Sequence, residues 1–197
     1  MRIPILATLS AVLAACSGSN GTIKVSITDA PTDLANVSQV LIIYDELRVH
    51  DDAAATSPAD AGTDAATDGV GGQGWIILCS DARTIDLMAL TGGRFTPVCT
   101  QTLADGGTGE SGVSVPAGRI SQLRLHVVVA TLKFNDGSPD VSLTVPSGPQ
   151  SGLKINVDRD VPAGGELDLK LDFNAASSIN KTGSGTYVLT PVLTVLP

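Results

Sequence analysis

Three short motifs carry the residue types of serine acyl transfer, and they fall in the chain order that this chemistry uses. Ser151-Gly152-Leu153-Lys154 fits S-x-x-K, Ser178-Ile179-Asn180 fits S-x-N, and Lys181-Thr182-Gly183 fits K-T-G. The reaction needs the serine and its lysine one helical turn apart, with the other two motifs converging from separate elements. Lys154 instead alternates with Leu153 and Ile155 as a strand residue does, and the second and third motifs are contiguous. The set reads as a decoy. Gly106-Gly107-Thr108-Gly109-Glu110-Ser111-Gly112 has the glycines of a phosphate loop without its lysine, and Val113 stands where a nucleophile elbow needs its last glycine. His50 and His126 are the only imidazoles, and each falls on the polar side of its segment, where solvent is expected to meet it. A Ser-His-Asp arrangement would need one of them beside a hydroxyl and a carboxylate, and no spacing selects such a set.

The acidic and aromatic residues point to binding rather than turnover. Asp60, Asp64 and Asp68 lie four apart, not in the one-three-five spacing of a calcium loop, and are expected to be solvated. Asp29, Asp172 and Asn174 sit at strand ends, where their oxygens could help to hold a calcium ion; no other cofactor is implied. Asp45 shares parity with Leu41, Ile43, Leu47 and Val49, so it points at the core unless a β-bulge turns it outward, and the bulge is the preferred reading. Trp75 and Tyr44 are the candidate ligand contacts, because sugar platforms stack rings on exposed aromatics. With one Trp, two Tyr and three Phe in all, a glycan site would have to be small or polar, which favours a protein partner.

The chain opens Met1-Arg2, runs apolar from Ile3 to Leu13 and reaches Ala14-Ala15-Cys16, the order of an export signal. The apolar run is too short to span a bilayer as a helix. Leu13-Ala14-Ala15-Cys16 resembles the lipobox of bacterial lipoprotein precursors. That resemblance implies a signal peptide over 1–15, acylation of Cys16, and a lipidated anchor with a short linker over 16–21. Ser17 rather than Asp follows the cysteine, which favours the outer over the inner membrane if the source is Gram-negative. The other two cysteines, Cys79 and Cys99, would then meet an oxidising compartment and pair as a disulfide. A metal pair would want further Cys or His nearby, and there is none.

These residues must be positioned by strands. Apolar and polar side chains alternate at Ile23-Val25-Ile27, at Ile120-Leu123-Leu125-Val127-Val129, at Leu153-Ile155-Val157, and at Leu167-Leu169-Leu171-Phe173. Asp29-Ala30-Pro31, Thr91-Gly92-Gly93, Pro116-Ala117-Gly118, Asn135-Asp136-Gly137 and Pro162-Ala163-Gly164-Gly165 punctuate the runs as turns. The segments near 22–28, 38–49, 75–79, 84–90, 95–99, 119–134, 141–145, 153–158, 165–174 and 186–196 are the expected strands. No segment has the period of an amphipathic helix. The expectation is one all-β domain over 22–197, an antiparallel two-sheet sandwich of eight to ten strands with immunoglobulin- or transthyretin-like connections. Residues 51–74 have almost no large apolar side chain and are expected to form a disordered surface insertion.

Several phrases in this order resemble a prokaryotic lipoprotein domain family, the domain of unknown function DUF4382. They are Ser26-Ile27-Thr28-Asp29-Ala30-Pro31, Val40 to His50, Trp75 with Ile85-Asp86-Leu87, and Pro116-Ala117-Gly118 leading into Leu123-Arg124-Leu125. Leu171-Asp172-Phe173-Asn174 with Ser178-Ile179, and Tyr187-Val188-Leu189-Thr190-Pro191-Val192, complete the set. The resemblance covers residues 22–196 and implies a secreted or lipid-anchored β-sandwich, with no activity attached. The family usually reads Asp-Phe-Asp-Ala where this chain has Asn174, so a cation held by that pair in relatives would be held less well here.

The formal charge is −8 and becomes −9 when Arg2 leaves with the leader. Without a basic footprint a nucleic-acid partner is excluded, and electrostatic attachment to an anionic membrane is disfavoured. The expected function is a non-enzymatic cell-envelope module, held to a membrane by an N-terminal lipid and binding a surface protein or a glycan. The alternative is a structural or assembly lipoprotein with no small ligand. A hydrolase comes last, and requires a cleft where His50 or His126 meets a serine and a carboxylate.

Overall fold

The alternation of aliphatic and polar side chains is realised as a β-sandwich in a computed structural model that describes residues 19–29, 34–52, 74–90, 92–102, 108–110, 112–146 and 152–197. The leader, Cys16, most of the expected insertion (with Asp60, Asp64 and Asp68), the glycines at 106 and 107, and Ser151 lie outside the described residues. The strands are β1 (Asn20–Asp29), β2 (Val37–Asp51), β3 (Trp75–Cys79), β4 (Arg83–Asp86), β5 (Thr96–Pro97), β6 (Thr100–Thr102), β7 (Thr108–Glu110) and β8 (Val113–Pro116). They continue with β9 (Gly118–Phe134), β10 (Val141–Ser142), β11 (Leu153–Val161), β12 (Glu166–Phe173), β13 (Ile179–Lys181), β14 (Tyr187–Leu189) and β15 (Leu193–Val195). A 3-10 turn at Leu87–Leu90 follows β4, and a single helical turn, α1 (Ala175–Ser178), follows β12.

One sheet runs β15-β12-β1-β5 with β8 also on β1, and the other runs β10-β9-β2-β3 with β11 also on β9 and β4 on β2. Aliphatic side chains from both fill the interior, among them Ile23, Val25 and Ile27 of β1, Leu47 and Val49 of β2, and Leu169 and Leu171 of β12. The disulfide Cys79–Cys99 is formed and joins the end of β3 to the residue two beyond β5, so it ties one sheet to the other. Tyr44 adds a second tie: its hydroxyl donates to the Val98 carbonyl at 2.7 Å, while the Val98 amide donates to Val25 of β1. The ends of the expected insertion are pinned together, since the Asp51 amide donates to the Gly74 carbonyl and β2 pairs antiparallel with β3.

Among the named strands one pairing departs from the antiparallel expectation. β1 and β12 run parallel from Thr22↔Glu166 to Asp29↔Phe173. Alternation fixes which face a residue takes but not the direction of its neighbour, so the sequence pattern is the same for either ladder. Other departures are local. Asp86 Oδ1 accepts from the Met88 amide and draws the chain out of β4 into the 3-10 turn, so the expected strand near 84–90 is half strand and half turn. The expected strand near 186–196 splits into β14 and β15, which flank Pro191, a residue with no amide to give a ladder. Asn174 caps α1, its Oδ1 accepting from the Ser177 amide at 2.9 Å.

The long pair β2·β9 changes face midway. Register slips between Ile43 and Glu46, where Tyr44 pairs with Val127 and Glu46 with His126, leaving Asp45 without a partner in the ladder. Val40, Ile42 and Tyr44 face the core before this bulge, and Leu47 and Val49 after it. Asp45 is thereby turned outward, as preferred above. Leu41 and Ile43 lie on the outer face, contrary to the parity assumed for them.

Candidate functional site

The outward face of β2 and β9 carries an unusual row. Arg48 of β2 is the register partner of Arg124 of β9, which is in turn the partner of Lys154 of β11. Like charges directly opposite one another oppose strand pairing, and this chain is acidic overall. Glu46 offsets Arg48 through an ion pair to its Nε at 2.6 Å. Among the described residues no carboxylate pairs with Arg124 or Lys154.

The adjacent row is Trp75 of β3, His50 of β2, Gln122 of β9 and Asn156 of β11. The Arg124 guanidinium lies 4.1 Å from the centroid of the Trp75 ring, and its Nε donates to Gln122 Oε1 at 3.0 Å. Such a contact is attractive through the ring quadrupole and, with the Gln122 bond, fixes the guanidinium plane. Arg48 stands 6.0 Å from the same ring. His50 meets the indole edge-on, with centroids 4.9 Å apart. His50, Trp75, Ser121, Gln122 and Arg124 line a cavity of about 290 Å³. A second cavity of about 300 Å³ is lined by Asp45, Glu46, Arg48, Ser80 and His126.

A second slip brings Ser121 into the first cavity. His50 pairs with Gln122 and Asp51 with Ile120, which leaves Ser121 unpaired in the ladder. Its hydroxyl donates to Asp52 Oδ1 at 2.6 Å, and His50 Nδ1 lies 3.1 Å from Ser121 Oγ and 3.2 Å from the same carboxylate oxygen. The Ser121 hydroxyl, with smaller contributions from His50 and Arg119, holds the Asp52 carboxyl below its usual range against a desolvation effect of opposite sign. A serine, a histidine and an aspartate therefore meet, but not as a catalytic triad. In a triad the ring sits between the other two, with one nitrogen on each. Here a single nitrogen faces both, and the serine proton goes to the carboxylate. His126 Nδ1 is bonded to Asp45 beside the second cavity. Both imidazoles are half-buried and paired with acids, a correction to the solvent-facing expectation.

The residues singled out from sequence fare unequally. Trp75 lies in the cavity wall. Tyr44 does not: it is 1% exposed, and burial pushes its phenol up to about 12, with Arg83 acting against the shift. It sits on the core side of the bulge and cannot reach a surface ligand, which corrects its assignment as a ligand contact. Asp29, Asp172 and Asn174 are not brought together. The register pairs Asp29 with Phe173 and Thr28 with Asp172, so the two carboxylates take opposite faces of the sheet. Asp29 Oδ1 accepts from the Ala175 amide, and the Asn174 oxygen is spent on its cap. Among the described residues no three His, Cys, Asp or Glu side chains gather as metal ligands. Ser178 is buried, its hydroxyl donating to the Asn174 carbonyl and accepting from the Val192 amide, and Lys154 is an exposed strand residue.

Arg48, Arg124, Gln122, Ser121 and Lys154 were not anticipated. Their polar parity marks only a wet face, and the one local signal was the three-residue step from Ile120 to Leu123 inside an alternation of two.

No curated protein and no solved structure matches the chain. The family model described as Domain of unknown function (DUF4382) matches residues 20–191, from the first residue of β1 to the proline between β14 and β15. The chain belongs to the DUF4382 family.

Proposed function

We propose that this protein is a lipid-anchored cell-envelope module that binds a ligand on the outward face of the β2·β9 pair and carries out no catalysis. The observation that carries the reading is the cleft at Trp75, where Arg124 is stacked on the indole and oriented by Gln122. A cation held in place without a carboxylate partner is suited to recognition, since little side-chain freedom remains to be lost on binding. The cysteine at the end of the leader, Cys16, supports the anchor, because several acyl chains hold a protein on a membrane where one binds only marginally. The membrane meant is that of the envelope, the outer one if the source is Gram-negative.

The meeting of His50, Ser121 and Asp52 favours a hydrolase as the second reading. It ranks lower because the Ser121 hydroxyl donates to Asp52 rather than to a ring nitrogen of His50, so no imidazole is placed to act as its base. Trp75 is the sole tryptophan, so its fluorescence reports on the cleft directly. The test is a titration of the full chain in detergent micelles with envelope glycans and peptides, following that emission. A saturable change establishes a binding module. Hydrolysis of an ester or amide probe that is abolished by Ser121→Ala would replace it with the second reading. Anchoring is checked by mass spectrometry of the membrane fraction, where Cys16→Ala should remove the acyl mass.

A further inference from the structure

We propose that the Trp75 cleft takes an acidic sugar, with its carboxylate on Arg124 and its hydroxyls on His50 and Gln122; the inference rests on the binding reading above. Arg124 Nε is committed to Gln122 and the guanidinium plane lies over Trp75, so the two terminal nitrogens form the edge left for a ligand. That edge matches the two oxygens of a carboxylate in a bidentate pair. Lys154, exposed and next to Arg124 in register, adds a second positive charge without a carboxylate partner among the described residues. Arg48 adds less, because Glu46 already offsets it.

The remaining wall is polar and of mixed character. Ser121 donates to Asp52, so both oxygens near His50 Nδ1 can accept from it, and the tautomer with its hydrogen on Nδ1 suits both contacts. Nε2 is then an acceptor for a ligand hydroxyl. The Gln122 amide nitrogen, free of its oxygen's bond to Arg124, is a donor. One carboxylate flanked by hydroxyls that both give and accept is the pattern of a hexuronate. The indole face is already occupied by the guanidinium, so charge rather than ring stacking selects the ligand. A cavity of about 290 Å³ suits one sugar unit.

The experiment titrates the full chain in micelles with glucuronate, and with glucose and inorganic phosphate as comparisons, following Trp75 emission and confirming by equilibrium dialysis. Glucuronate should bind saturably and at least tenfold more tightly than glucose or phosphate. Arg124→Gln should weaken it by tenfold or more in dialysis, with the thermal transition retained, and Arg124→Lys should restore only part of the loss. Lys133→Gln, on the same strand and paired with Asp140, should leave binding unchanged. Equal binding of phosphate or of glucose overturns the proposal, as does glucuronate affinity that ignores Arg124. A response to a neutral glycan or a peptide without one to glucuronate overturns this ligand class and leaves the binding module standing.

Discussion

Replacing Tyr44 by Phe isolates one hydrogen bond between the two sheets. The ring stays in place, since the side chain is among the largest fully buried ones, and only the hydroxyl is lost. Among the described residues no other proton donor reaches the Val98 carbonyl, because Cys79 Sγ, 3.9 Å away, is in a disulfide and carries no hydrogen. Deleting the donor forfeits a net bond and strands a buried acceptor, which together cost about 1.5–2 kcal/mol. For a chain of this size that lowers Tm by about 3–8 °C, and the urea midpoint by about 0.7–1 M at a slope of about 2 kcal/mol/M. The pH dependence supplies an independent check. Burial raises the Tyr44 phenol from 10.0 to about 12, so the unfolded chain ionises first as the solution becomes alkaline. The Tyr44 contribution is therefore complete below pH 10 and is lost as pH rises from 10 towards about 12. Chemical denaturation of both proteins at pH 8, 10, 11 and 12 should show the gap between them shrinking across that window. A difference below about 0.5 kcal/mol at pH 8 would refute the buried bond, and a gap independent of pH would refute the burial of the phenol.

Three further outcomes follow from the geometry. Replacing Cys79 and Cys99 together by Ala opens a loop with a sequence separation of 20 and should cost about 3 kcal/mol in urea unfolding. Gly21→Ala drives a methyl against the Pro162 carbonyl and to 2.5 Å from Val161 Cγ1; calorimetry should show a loss of about 1–3 kcal/mol from overpacking where β1 enters its sheet. Asp136 is held at about 2, chiefly by Ser138 and then by Asn36, so its contribution is present above about pH 4 and is lost as pH falls through about 2. Asp136→Asn should flatten that part of an acid-unfolding curve.

The fold was legible where period two is uninterrupted. Leu167 to Phe173 alternate without a break and form β12, and Ile23 to Ile27 alternate and form β1. What sequence did not reveal lies where pairing inserts or drops a residue. The parity of Leu41 and Ile43 with Leu47 holds only if no bulge intervenes, and the bulge at Asp45 reverses it. The same slip decides the fate of Tyr44, which an unbroken pattern leaves outside and the bulge puts inside. The short ribbon β6·β7 and the strand β8 carry too few residues for a period to register. Trp75 was identifiable as a rare aromatic, but its partners come from β2 and β9, and only the register brings them together.

The bulges and the site have a common physical origin. A bulge leaves residues without ladder partners and lets side chains crowd onto one face. Ser121 reaches Asp52 and His50 because the register slips at that point, and Asp45 reaches His126 because it slips again at the second cavity. Each slip shortens the uninterrupted ladder of the longest strand pair, and the row Arg48–Arg124–Lys154 adds repulsion to it. A sheet selected for stability alone would place opposite charges there. The outer face of β2·β9 thus concentrates features that weaken a sheet, while the interior beneath it, with Leu47, Val49, Leu123 and Leu125, is packed and buried. Neutralising the row, with Arg124→Glu opposite Arg48 and Lys154, should therefore raise stability while abolishing ligand binding; a variant that loses both would mean that the row holds the strands together.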